Sequence, residues 1–434
     1  MSKIQRFALL FLIVFFAFFA GVFFMKKGIP PIPQLDEAYT YLLKRNPSDN
    51  TTPRERILND MGRYPYRLLR PADPTLLDSQ AFRDLGLAES NWRQRDARVH
   101  VDTDRREAKL TLISGLFGSG GIAHGIVLIG QDGSLLHQWP ISQNFAEWAN
   151  VPDFSMLVHG FEVFPDGSVI AALNKGNTLA RIDACGEPIW AREFGIHHSI
   201  ARDGPDHIWT WDGENDMVRV KIADGEVVDR ITFEEVMEAN PDIDILGILQ
   251  MDQYDQSIWL SDPFHANDVE ALPAEWADAF PGFEAGDLLV SLRSLNLIMV
   301  VDPETARVRW WRQGAVRRQH DPDWQPDGTI LVFDNNTNRG YSRIRSVNPA
   351  TYLVKDVVKG EVYNFYNLNM GTQHRTAEGS TLVTSANQGR VFEVAPDGSV
   401  LFDLVNMYDT DHVGYVGDAR TVPIDFFEEF PTCE

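Results

Sequence analysis

Five histidines recur in this chain at places where their chemistry could be pooled. His159, His198, His265, His320 and His374 each open a strand-like segment. At His159 and His320 the same interval leads to an Asp-Gly pair, Asp166-Gly167 and Asp327-Gly328. Imidazole is the side chain that titrates nearest neutrality, and its neutral form is a common metal ligand. The segment that follows each histidine closes on a polar residue in several copies: Asn174, Arg293, Asp334 and Asn387. One such histidine taken alone is most simply a strand cap. Five in register argue for a shared site, because a cap would more often be Ser, Asn or Asp. Arg293 and Asn267 belong to the same set and argue against a bound cation. Arg293 itself has a plain reading as a salt bridge between neighbouring units.

The segments that must position these residues form a repeat. In the clearest copy, His159 to Gly167 leads into Ser168–Asn174, then Thr178–Asp183, a turn at Cys185-Gly186, and Pro188–Trp190. That is four strands joined by tight turns of ordinary hairpin chemistry. Related outer hairpins turn at Asp132-Gly133, Asp224-Gly225, Asp302–Arg307 and Asp397-Gly398. Four-stranded units at intervals of roughly 40 to 80 residues read as propeller blades. The expected fold is therefore all-β, a six-bladed β-propeller over residues 107–410 with a tail at 411–434. The stretches Phe233–Asn240 and Pro273–Pro281 read as partly helical excursions over one face. In a propeller the first strand of each blade lines the channel, and the end of the second returns to the same face. The five histidines should then surround one mouth of that channel.

Composition sets the boundaries. The 434 residues carry 62 acidic against 39 basic side chains, a formal charge of −23. Four of the basic residues (Lys3, Arg6, Lys26, Lys27) flank the first hydrophobic run, so the rest is more acidic still. Such a domain repels phosphate backbones, which excludes nucleic acid as a partner. Residues 7–25 are uncharged and apolar. They are long enough for one transmembrane helix and lack a small-residue cleavage site, so the expectation for 1–27 is a signal-anchor with the propeller on the periplasmic side. Residues 28–106, rich in Pro and Arg, read as a stalk with short helices at 36–44 and 54–61. Cys185 and Cys433 are too few for a disulfide scaffold or a zinc site. Asp334-x-Asn336-x-Asn338 has Arg345 where a calcium loop needs a bidentate Glu, and reads as a polar turn.

Some of these residues resemble a known family. Asp262-Pro-Phe-His265-Ala-Asn267, Leu288–Arg293 with its Ser-Leu-Arg ending, Gln319-His320, and Phe333-Asp334-Asn335 are similar in kind and order to bacterial arylsulfotransferases. The resemblance covers about residues 110–405. It implies a six-bladed propeller that moves a sulfuryl group from an aryl sulfate to a phenol without a cofactor or metal. It implies that His320 receives the group, with Arg293, His265, Asn267 and His198 around it; His374, His159, Asp334 and Asn335 are expected to bind the substrate at the same mouth. Arg293 suits the sulfuryl oxygens through its fixed charge and planar fork. The chain departs from the family in four ways. Asn336 stands where Gly is usual, His197-His198 blurs the first histidine's register, the family's short disulfide has no counterpart, and a membrane anchor is added. His374, also preceded by Gln, rivals His320 as acceptor. A non-catalytic propeller tethered to a membrane complex and a His-ligated metalloenzyme are the alternatives, and a homo-oligomeric partner is open.

Overall fold

The computed structural model describes residues 63–65, 99–107, 109–117, 124–141, 157–173, 178–196, 198–246, 250–253, 256–259, 262–408 and 412–433. The apolar run at 7–25, the stalk helices expected at 36–44 and 54–61, Asn174 and His197 lie outside these residues. Among the described residues no helix is long and apolar enough to cross a membrane.

The described residues form six antiparallel blades, five of four strands and one of five. Their inner strands are β1 (Val158–Val163), β2 (Ala201–Asp203), β3 (Ala266–Ala271), β4 (His320–Trp324), β5 (Thr372–Arg375) and β6 (Val416–Pro423). The turns are built as their sequences dictate. Asp132, Asp166, Asp327 and Asp397 each accept from the backbone N–H and hydroxyl two residues on, while Gly133, Gly167, Gly328 and Gly398 take the left-handed conformation that follows. The excursion after the third blade is helix α1 (Phe233–Ala239), started by a reciprocal capping box between Thr232 and Glu235. Residues Ala274–Ala279 form a 3-10 turn.

Six apolar clusters hold the ring, one between each neighbouring pair of blades. Leu112 and Phe161 share the first, Leu179 and Ile208 the second, and Trp211 and Val269 the third. Leu289 and Ile330, Phe333 and Phe392, then Phe402 and Ile113 complete the circuit. Each fully buried large side chain is worth roughly 2–3 kcal/mol of transfer free energy. Indole N–H groups tie blades together: Trp139 Nε1 donates to Gly167 O at 2.8 Å and Trp190 Nε1 to Ile222 O at 2.9 Å.

Three expectations need correction. The propeller does not stop at 410, because β6 pairs with Lys109–Leu116 and supplies the inner strand of the first blade. Chain ends thus close the ring within one sheet. Nor does it begin at 107: Val99–Val101, placed in the stalk, pairs with Val400–Val405 as a fifth, edge strand. Finally, Cys185 and Cys433 are joined in a disulfide across 248 residues of sequence, with Cα atoms 5.4 Å apart. The bond fastens the segment after β6 to the outer hairpin of the second blade.

Candidate functional site

Four of the five histidines meet. The ring centroids of His159 and His198 are 4.4 Å apart, those of His198 and His265 5.2 Å, and those of His198 and His320 5.8 Å. Bulges bring this about. The register slips at His159 in β1, at Asn267 in β3, between His320 and Asp323 in β4, and between Val416 and Ala419 in β6. An extra residue re-aims the side chains beside it. Consecutive residues therefore both line the channel, as Asn267 with Asp268 and His320 with Asp321 do. His198, His265 and Asp321 have positive φ angles of 80°, 47° and 52°. That conformation costs on the order of 1–3 kcal/mol per residue and persists only where the surroundings impose it.

His320 is buried, and its Nδ1 lies 2.6 Å from Oδ1 of Asn335. Asn335 Nδ2 donates to the carbonyls of Asn367 (3.2 Å) and Met370 (2.7 Å), which fixes the amide's orientation. An amide oxygen only accepts, so Nδ1 of His320 carries the proton and Nε2 the lone pair. The N–H of Met370 approaches Nε2 at 3.3 Å. Burial, then the Arg293 guanidinium, hold the His320 pKa well below its ordinary value, so the ring is neutral near pH 7.

Arg293 stands in a short turn after Leu288–Leu292, where its backbone N–H donates to His265 O at 3.2 Å. Its Nε is buried without a hydrogen-bond partner. Burial and Arg318 lower its pKa, while Asp262 opposes them. His265 Nδ1 bonds the Asp262 carboxylate. Asn267 donates from Nδ2 to Gln319 O at 2.7 Å, and Gln319 is itself held on Ser291 Oγ and Leu297 O. Asn267 thus pins the peptide that precedes His320 and keeps one further N–H.

The other expected residues are placed differently. Asp334 does not line the channel: its Oδ1 accepts from the N–H groups of Arg317 (2.7 Å) and Asn336 (3.0 Å), and Oδ2 pairs with Arg345. The strand end turns into a loop there, so the side chain organises the turn. Asn335 reaches His320 from behind the ring. Asn387 receives no place on the channel either; its N–H donates to Asn367 Oδ1. His374 is separate from the four histidines. Met370 is the fifth inner strand's neighbour of His320, and Gln373 N–H donates to Asp321, so His374 lies a level deeper. There burial, then Arg420, push its pKa down to about 4.

Below the histidines runs a layer that the sequence reading missed. Asp268 and Glu270 on β3 and Asp321 and Asp323 on β4 line the same cavity of about 890 Å³ as His159, His198 and His320. Burial, against partial relief from Ser199 and Arg420, raises Asp268 to about 7. Burial, with Asp268 beside it, raises Glu270 to about 8. Burial and mutual repulsion push Asp321 and Asp323 well above the ordinary range. Arg420 is bound to Glu162, Asp418 and Ile200 O. The legible signal was alternation: Asn267-Asp268-Val-Glu270 and His320-Asp321-Pro-Asp323 place acids just after a site residue. Among the described residues no group of three or more His, Cys, Asp or Glu is arranged to hold a metal ion.

The family model described as Arylsulfotransferase (ASST) matches residues 160–407, more than half of the chain. The chain belongs to the arylsulfotransferase family. The region shared with that family contains His198, His265, Asn267, Arg293, His320, Asp334, Asn335 and His374, and begins one residue after His159. No curated protein matches. Among solved structures, a protein of unknown function from Bacteroides caccae is 11% identical, with 73% of this chain and 99% of that chain covered and a TM-score of 0.49. A virginiamycin B lyase from Staphylococcus aureus is also 11% identical, with 73% and 97% covered and a TM-score of 0.38. A chain from a nidogen/laminin complex is 10% identical, with 72% and 98% covered and a TM-score of 0.43. In the arylsulfotransferase propeller described here, the histidine cluster and the carboxyl layer occupy successive levels of one channel.

Proposed function

We propose that the chain moves a sulfuryl group from an aryl sulfate to a phenol, with Nε2 of His320 as carrier. The observation that carries this reading is the His320–Asn335 pair. It leaves a neutral imidazole whose unprotonated nitrogen is Nε2, beside three other histidines. Nε2 attacks sulfur; the N–S bond forms as the aryl S–O bond breaks, and the phenolate departs with that electron pair. An acceptor phenolate then attacks the same sulfur and returns the lone pair to Nε2. His198 or His265 gives the first oxygen its proton and takes the proton of the second. Charge gathers on the sulfuryl oxygens in the transition state, so fixed donors there contribute most of the stabilisation. Arg293 Nε and the second N–H of Asn267 are those donors; the Met370 N–H, which donates to Nε2 in this structure, must leave that lone pair as Nε2 attacks.

Residues 7–25 would tether the propeller to a membrane with the site outside. The Cys185–Cys433 disulfide supports an oxidising compartment for it. The test uses the full chain in detergent. Incubation with 4-nitrophenyl sulfate alone should leave one acid-labile sulfuryl group on His320, and added phenol should remove it as phenyl sulfate. An adduct elsewhere, or full turnover in His320→Ala, overturns the assignment.

A further inference from the structure

Four carboxyls sit side by side on two adjacent inner strands, and none of them forms an ion pair with a described cation. Asp268 is held by the Ser199 hydroxyl, and the other three by donors of the neutral backbone or an amide. Glu270 accepts from Trp324 N–H at 3.0 Å, Asp321 from Gln373 N–H at 2.6 Å, and Asp323 from Gln373 Nε2 at 2.6 Å. An independent sign that points to a ligand is Gln373 itself. It is 3% exposed and lines the cavity, and its Nε2 is fixed on Asp323, so its Oε1 stands beside the carboxyls. That Oε1 has no hydrogen-bond partner. A buried acceptor left unmade costs about 1–3 kcal/mol, and one set beside four carboxyls suits a group with several donors and a positive charge. Arg420 does not supply it, since its guanidinium is spent on Glu162, Asp418 and Ile200 O.

We infer that this layer is the subsite for a protonated amine carried by the phenol. The inference rests on the sulfuryl-transfer reading for its orientation: with the phenol oxygen at His320 Nε2, the para substituent points down the channel. His320 and Asp323 are three strand residues apart, ~10 Å when extended and less across the bulge. A phenol bearing a short aminoalkyl arm spans that distance. The amine would donate to Gln373 Oε1 and stand against Asp321, Asp323 and Glu270. Its arrival favours the ionised carboxylates, so carboxyl protons leave as it binds. The same layer repels a carboxylate-bearing phenol.

Two measurements on the full chain separate this inference from the reading beneath it. The first is calorimetric binding of tyramine, 4-ethylphenol and 3-(4-hydroxyphenyl)propionate, which share the ring and differ in the arm. Tyramine should bind about tenfold or more tightly than 4-ethylphenol. It should also release protons, visible as a dependence of the heat on the buffer, and the propionate should bind weakest. Asp323→Asn and, independently, Glu270→Gln should bring the tyramine preference close to one; both keep the size of the protonated side chain, and either suffices if the other does not fold. The second measurement is the relative kcat/KM of the same phenols as acceptors from 4-nitrophenyl sulfate. Equal binding of tyramine and 4-ethylphenol, or a preference that survives both substitutions, overturns the subsite. Amine-selective binding that both variants lose, without transfer to any phenol, sustains the subsite and overturns the sulfuryl-transfer reading.

Discussion

Asn335 Oδ1 accepts the Nδ1 proton of His320 at 2.6 Å and so decides which nitrogen of that ring keeps its lone pair. The amide is clamped from its other side by the carbonyls of Asn367 and Met370, and its burial is complete. A buried amide with every atom engaged is a rigid support, and the rigidity passes to the imidazole it holds.

Asn335→Ala should accordingly lower kcat by about 10²-fold while KM changes little, because the tautomer and ring orientation are lost but substrate contacts stay. Asn335→Asp gives a sharper readout. A carboxylate at Nδ1 favours the imidazolium, so the pKa of His320 rises and the acidic limb of kcat/KM moves to higher pH. An unmoved limb in this variant would show that His320 is not the titrating nucleophile.

Arg293→Lys retains the charge and loses the planar fork and the Nε donor. The expected outcome is a fall in kcat of about 10²-fold with KM raised far less, since a donor aimed at developing charge acts mainly in the transition state. Steady-state kinetics with 4-nitrophenyl sulfate measure it; a KM effect with kcat intact would make Arg293 a binding group only.

Stability should depend on pH through the carboxyl layer. Asp268 at about 7 and Glu270 at about 8 bind protons in the folded state that the unfolded chain has already released. Their contribution is largest below the ordinary carboxyl range, falls as pH rises above about 4 at up to about 1.4 kcal/mol per pH unit for each proton, and is fully lost once pH has passed about 7 for Asp268 and about 8 for Glu270. The groups facing them are Asp321 and Asp323 on β4, Asp418 and Arg420 on β6, Glu162 on β1, Arg202 on β2 and His374 on β5. His374 and His320 have lowered pKa values and act oppositely, but only below their ordinary value of 6.5. The melting temperature should therefore drop between pH 6.5 and 8.5, and Asp268→Asn with Glu270→Gln should flatten the slope.

Much of this was legible in the sequence, for reasons that differ by feature. Asp-Gly turns and alternating strands marked the blades because local turn chemistry repeats. The histidines were legible because each lies in an inner strand or just before one. The closing strand β6 was not, because it meets Lys109–Leu116 across the whole chain and has no hairpin of its own. Bulges at Asn267 and after His320 were hidden too, since an extra residue in one strand leaves no mark on its alternation pattern. Asp334 misled for the related reason that a strand end can close a turn as readily as face a channel.

Cys185→Ser should destabilise the propeller by about 2–4 kcal/mol, because the disulfide restricts a very long loop in the unfolded chain. The histidines and carboxyls of the channel lie on other elements, so the loss should appear in the melting temperature and in protease sensitivity near the C-terminus. A thiol reductant should reproduce the effect in the unsubstituted chain and add nothing to the variant.

What surrounds each ring favours His320 over His374 as the proposed carrier. His374 lies at the level of Arg420 and the carboxyls, apart from the four clustered imidazoles. With a pKa of about 4 it is neutral. Neutrality alone does not make a nucleophile, however, and Arg293, named among the charges acting on His320, is not among those acting on His374. His374→Gln should lower turnover modestly, by about threefold to tenfold, through repacking of the channel wall. It should leave the acid-labile sulfuryl adduct on His320 undiminished in amount, whereas His320→Ala should abolish it. Mass spectrometry of peptic peptides separates the two sites, since the peptides carrying residues 320 and 374 do not overlap. An adduct on the His374 peptide in the unsubstituted protein would exchange the roles of the two histidines.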